Sequence, residues 1–254
     1  MPPGNKLIYN IAVTLEYWEL TELRAEIAIQ RLYARGWKHA QHLGQRAQIL
    51  TSPCNTLISR ICVGDRGFEC FAMLCERHEN PHLPTFLLNS IIPGGAHLSI
   101  MPKYDDWSTL TNPADRQAAE HLTWLLSGGT PPQYDLRKWN NIVNKILENN
   151  YFREAMRLII SEAEARSGEY PEISPRIDLG DLNSNLLCYR TGGEIKFVIT
   201  DAFASAGPLD RNDIAKLQIL RERVGLLPKH NFSEALSLPS RTSVTLPVVP
   251  PRPM

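Results

Sequence analysis

Residues Arg176 to Ser205 read R-I-D-L-G-D-L-N-S-N-L-L-C-Y-R-T-G-G-E-I-K-F-V-I-T-D-A-F-A-S, and this stretch decides the fold. Asp178, Asp181, Asn183 and Asn185 crowd its beginning, where short polar side chains compete for the backbone and favour an irregular loop. A short apolar run follows from Leu186 to Tyr189, and then the turn Thr191-Gly192-Gly193-Glu194. The next run alternates, with Ile195, Phe197 and Ile199 on one face, and it ends at Thr200-Asp201. The pattern predicts a loop, a two-stranded hairpin and a carboxylate where the second strand exits. In that arrangement the loop's asparagine and Asp201 meet at one end of the hairpin, placed for one divalent cation to bridge them. An amide and a carboxylate suit Mg²⁺, which keeps several waters and takes few protein ligands. The same residue types also serve as a polar loop that merely caps a hairpin.

Working outward, the rest of the chain divides by texture. Residues 15–34 are good helix formers, with Leu23, Ile27, Leu32 and Tyr33 available for a buried stripe and Gly36 as a stop. From Leu43 short strands are expected at Gln48–Thr51 and Leu57–Val63. A helix then runs from Phe68 to Arg77, and two further strands, Thr85–Ile92 and Ala96–Met101, are joined by Pro93-Gly94-Gly95. Strand, strand, helix, strand, strand makes a small α+β layer. Past Trp107 the chain turns helical. Asn112 and Pro113 start one helix with Ala118, Leu122, Leu125 and Leu126 facing inward. Asp135 starts a second with Leu136, Trp139, Val143, Ile146 and Leu147, and a third carries Phe152, Met156, Ile159, Ile160 and Ala163. A last helix is expected from Asp213 to Val224, and the tail beyond Pro228 is too rich in proline to fold alone.

Composition narrows the function. The 254 residues carry 27 basic and 27 acidic side chains, so no bulk field draws a polyanion, and the scattered basic residues form no aromatic-interleaved patch for nucleic acid. The five cysteines contain no C-x-x-C pair and read as reduced thiols beside apolar segments. The N-terminus has no signal-peptide pattern, and no apolar run approaches the roughly 18 residues that span a bilayer, so a cytoplasmic location is expected. His39 and His42, and His78 and His82, have ligand-like spacing but no third partner at a recognisable distance. No G-x-S-x-G elbow and no Walker sequence is present.

A sheet-rich segment, a connector, a helical segment and then a polar loop with a hairpin resemble a protein kinase in order. Within the kinases the chain is similar to the early serine/threonine protein kinases of T-odd podophages, over roughly Leu43 to Val224. The matching pieces are Leu43-Gly44 before the first strand pair, Ser59-Arg60-Ile61-Cys62-Val63-Gly64, the helix Phe68–Arg77 and Val198-Ile199-Thr200-Asp201-Ala202. The resemblance implies an α+β, two-lobed kinase-like fold. Residues 1–42 form an N-terminal extension, 43–104 a small antiparallel-sheet N-lobe, 105–228 a helical C-lobe and 229–254 a Pro-rich tail. It implies ATP and Mg²⁺ between the lobes and a host protein as substrate or target in an infected bacterial cell.

The family's site maps here with departures. Its strand lysine, which holds the nucleotide phosphates, falls on Cys62. Arg60, two residues earlier on the same strand face, is the candidate replacement, with Glu69 or Glu76 as the helix partner. One glycine, Gly44, stands in the phosphate-covering turn, with Arg46 where a small residue would let the backbone approach phosphate. Kinases space the base aspartate and the metal asparagine five apart, as Asp178 and Asn183 are. Strand phase favours Asn185 as the ligand, because it directly precedes Leu186-Leu187, which leaves Asp178 or Asp181 as the base. Asp201 is the second metal ligand, although Thr200-Asp201-Ala202-Phe203 lacks the usual glycine two places on. Two functions follow. One is an active serine/threonine kinase; the other is a kinase-like protein that binds and inhibits a host protein without phosphoryl transfer.

Overall fold

The computed structural model describes residues 16–40, 47–127, 140–166, 175–177, 185–205 and 211–225. Alternating apolar residues build a five-stranded antiparallel sheet from β1 (Lys38–His39), β2 (Ala47–Thr51), β3 (Leu57–Val63), β4 (Leu88–Ile92) and β5 (Ala96–Pro102), in the order β1-β2-β3-β5-β4. Between β3 and β4 the chain forms a helix, here the second in the chain, α2 (Arg66–Arg77). Gly94 and Gly95 both take positive φ in the β4–β5 turn, as the Pro93-Gly94-Gly95 signal predicts.

Because side chains alternate along a strand, the sheet has two different faces. Leu50, Leu57, Ile61, Leu88, Leu98 and Ile100 point to one core, shared with Tyr17, Leu20, Leu32 and Trp37 of the N-terminal extension. Ile58, Cys62 and Met101 point to the other core, which α2 and the helical part of the chain share. The extension is a 3₁₀ turn, Trp18–Glu22, followed by α1 (Ala25–Ala34). The single helix expected over residues 15–34 is thus broken at Leu23 and Arg24, which are extended. The break turns Leu20 toward the sheet. It also leaves Ile27 and Tyr33 exposed, with Ala25, Ala28 and Leu32 forming the buried stripe instead. β1 has only two residues, both exposed, and carries no alternation from which to predict it.

The helical part begins after β6 (Asp105–Asp106), with α3 (Pro113–Ser127), α4 (Asn140–Glu148) and α5 (Asn150–Arg166). Asn112 Oδ1 accepts the Ala114 amide at 2.9 Å, the cap that the Asn-Pro pair announces. Phe152, Met156, Ile159, Ile160 and Ala163 of α5 are all buried, and so are Ala118, Leu122 and Leu126 of α3. Asp135, Leu136 and Trp139 lie outside the described residues. The predicted hairpin is present as β8 (Leu186–Thr191) and β9 (Glu194–Ile199), with β6 paired to β8 and β7 (Pro175–Ile177) paired to β10 (Phe203–Ser205). The last described helix is α6 (Arg211–Arg223). No helix among the described residues is long and apolar enough to cross a membrane. The five cysteines are free thiols, with Cys54 exposed rather than set in an apolar segment.

Candidate functional site

Arg60 lies in the middle of β3 on the face turned away from the N-terminal extension, opposite Ser99 of β5. Its guanidinium is a fork, and each prong finds a carboxylate. Nη1 donates to Asp201 Oδ2 at 2.7 Å and Nη2 donates to Asp65 Oδ2 at 2.9 Å. The Cζ atom sits 3.8 Å from the centroid of the Phe68 ring. All three charged side chains are mostly buried, at 14%, 11% and 20% exposure for Arg60, Asp65 and Asp201. Burial by itself would lower the Arg60 guanidinium, but the Asp201 and Asp65 carboxylates outweigh it and hold the group above its ordinary range.

Asp65 was not foreseen, although the sequence signals it. It is the residue before α2, a common place for a helix-capping aspartate, and its Oδ1 accepts the Phe68 amide at 3.2 Å. The helix glutamates do not serve Arg60. Glu69 is buried but is taken by Arg66 at 2.6 Å, and Glu76 is exposed. Geometry accounts for this: two residues separate β3 from α2, so the capping position is beside Arg60, whereas Glu76 stands about 15 Å further along the helix axis.

Cys62 faces the same side as Arg60, as alternation requires, but it is an apolar wall residue. Burial pushes its thiol up to about 11, so it carries no charge near neutrality. Opposite it on β5, His97 is packed edge-on to Phe68 with ring centroids 5.3 Å apart. Burial, and then the Arg60 charge, push His97 down to about 4, so it is neutral as well. Arg60 is therefore the cation that the strand presents on this face.

The hairpin brings the two ends of the polar loop to Asp201. Ile177 of β7 pairs with Phe203, two residues beyond Asp201, and the Thr200 amide donates to the Asn185 carbonyl at 2.8 Å. Asn185 and Asp201 thus stand at the same end of the hairpin. Asp178, Asp181 and Asn183, and also Gly44 and Arg46, lie outside the described residues. Carboxylate and amide oxygens are the donor set that Mg²⁺ accepts. The Arg60–Asp65–Asp201 cluster sets two carboxylates against one guanidinium.

The segment after Asp201 is firmly packed. Phe203 meets Phe71 of α2 edge to face at 5.9 Å. A Cβ on Gly67 would stand 2.6 Å from the Phe203 carbonyl oxygen, so only glycine permits this approach. Sheet order, a helix between β3 and β4, and a hairpin ending in a carboxylate that meets the β3 cation reproduce the expected two-lobed plan. The layout is kinase-like. No family model and no curated protein matches the chain. Among solved structures, aminoglycoside phosphotransferase APH(3'')-Id from Streptomyces rimosus is 11% identical, covers 82% of this chain and 94% of its own, and has a TM-score of 0.36. The GDP complex of wild-type aminoglycoside 2'-phosphotransferase-IIIa is 14% identical, over 87% of this chain and 83% of that one, at 0.35. A putative aminoglycoside phosphotransferase from Ralstonia eutropha is 15% identical, over 74% and 75%, at 0.30. Likeness at this level carries no information on substrate.

Proposed function

We propose that this chain is a phage-type serine/threonine protein kinase that transfers the ATP γ-phosphate to host proteins in the bacterial cytoplasm. The observation that carries the phosphotransferase part is the Arg60–Asp201 contact. It sets a strand cation against the hairpin-exit carboxylate at 2.7 Å, on the sheet face that also offers Ala47, Ile58 and Met101 as an apolar wall for a base. The protein-kinase and phage parts rest on the motif resemblance of Ser59–Gly64 and Val198–Ala202.

Mg²⁺-ATP, when bound, supplies the transferable phosphoryl group and the charge that screens it. Asp201 and Asn185 are the oxygen donors for the ion, with Asn183 as the alternative to Asn185. Arg60 faces the phosphates and neutralises charge there. Asp178, or Asp181, orients the substrate hydroxyl. The protein's contribution is positioning and a fixed electrostatic environment. A second reading, a kinase-like protein that binds and inhibits a host protein without transfer, is favoured by one feature: Asp201 is already gripped by a cation of the chain's own.

Incubation with labelled ATP, Mg²⁺ and a bacterial lysate separates the two. Transfer by the wild type, reduced about a hundred- to thousandfold in Asp201→Ala, is the expected result. A folded wild type that neither transfers phosphate nor shows a Mg²⁺-dependent thermal shift with ATP sinks the kinase reading and leaves the inhibitor.

A further inference from the structure

We infer that Asp65 is the positioning residue for Arg60, an inference that rests on the phosphotransferase reading. A metal ion on Asp201 would share that carboxylate's charge with Arg60 and so weaken its hold on the guanidinium. When an ion occupies Asp201, Arg60 needs a second anchor to stay at the cleft. Asp65 is built for that part. One of its oxygens is fixed by the Phe68 amide at 3.2 Å and the other takes Arg60 Nη2 at 2.9 Å. It also sits at the N-terminus of α2, where the helix dipole favours a negative charge. The Phe68 ring, in the same first turn, supports the guanidinium from below at 3.8 Å. Asp65 and Phe68 together hold Arg60 from the helix side, and Asp201 holds it from the hairpin side. With Glu69 engaged by Arg66, Asp65 takes the place expected of a helix glutamate. The pair has moved from inside the helix to its cap because β3 runs into α2 with so short a link.

The cap and the charge can be separated. Asp65→Asn and Asp65→Ser keep a side-chain acceptor for the Phe68 amide but lose the charge, whereas Asp65→Glu keeps the charge. The first two are expected to fold with a lower melting point, from the broken Arg60 pair, and to lose about ten- to hundredfold in Mg²⁺-ATP affinity. Asp65→Glu is expected to recover most of that affinity even where its melting point drops. Wild-type affinity in Asp65→Asn overturns the inference.

An unfolding double-mutant cycle between Asp65→Asn and Arg60→Met supplies a readout that needs no nucleotide. The two changes should be clearly non-additive, and simple additivity also overturns the inference. Should the wild type bind no nucleotide, the phosphotransferase reading fails on its own. The cycle then decides alone whether Asp65 anchors Arg60.

Discussion

At the scale of single residues, the site depends on charge being placed where water is scarce. His97 illustrates how far that reaches beyond the charged groups themselves. It is 3% exposed, lies beside Arg60, and is held neutral down to about pH 4, against an ordinary value of 6.5. Between those two pH values the unfolded chain binds a proton on His97 that the folded chain does not. Stability therefore falls as pH drops from about 6.5 and levels off, for this group, below about 4. Over the whole window the loss from this group is about 3 kcal/mol. His97→Phe removes the titration and preserves an edge contact for Phe68. Urea unfolding of both proteins from pH 7.5 to 4 should show a steeper acid loss in the wild type, with the carboxylates cancelling in the difference. Parallel profiles would mean that His97 titrates alike in the folded and unfolded chain. Arg60 was legible as a candidate and its partner was not. Alternation along β3 puts Arg60 on the face shared with Cys62, but the choice among Asp65, Glu69 and Glu76 depends on where α2 starts.

At the scale of elements, boundaries were readable where a residue type has one strong reason to be there. Asn112-Pro113 starts α3 and Pro93-Gly94-Gly95 turns β4 into β5, both as expected. The alternation of Ile195, Phe197 and Ile199 gave β9. Reading failed where tertiary packing decides, as at Leu23 and Arg24, whose helix-forming neighbourhood yields to the need to seat Leu20 against the sheet. Gly67 is the element-scale counterpart of the Asp65 cap, because it lets the first turn of α2 lie directly on the β10 backbone. Gly67→Ala would place a methyl group 2.6 Å from the Phe203 oxygen, and the obstacle is backbone rather than a side chain that can turn aside. Overpacking of this kind costs about 1–3 kcal/mol. Gly67→Ala should therefore lower the unfolding midpoint even though alanine is the better helix former. It should also displace α2 from β10 and so disturb the Arg60–Asp201 distance. A midpoint at or above wild type would show that the contact relaxes without cost.

At the scale of the whole molecule, the N-terminal extension is part of the fold. Tyr17, Leu20, Leu32 and Trp37 are buried at 6%, 0%, 0% and 2% exposure, against the sheet face opposite the site. Each such side chain contributes about 1.5–3 kcal/mol when fully buried. Their sum is comparable with the roughly 5–15 kcal/mol by which a domain is stable at all. Removing residues 1–37 would also uncover Leu50, Leu57, Ile61, Leu88, Leu98 and Ile100 as one contiguous apolar surface on an open sheet. The truncated chain is expected to aggregate or to bind a hydrophobic dye strongly, and to lose a single cooperative melt. Trp37→Ala in the full chain should move the same way by about 3–5 kcal/mol. β3 carries Arg60 on one face and Leu57 and Ile61 on the other, so the loss should reach the site through that strand. Dye binding and chemical denaturation of the two variants test this together. A truncated protein that stays monomeric with a wild-type melting curve would make the extension an appendage, and β3 would then owe its position to α2 and the hairpin alone.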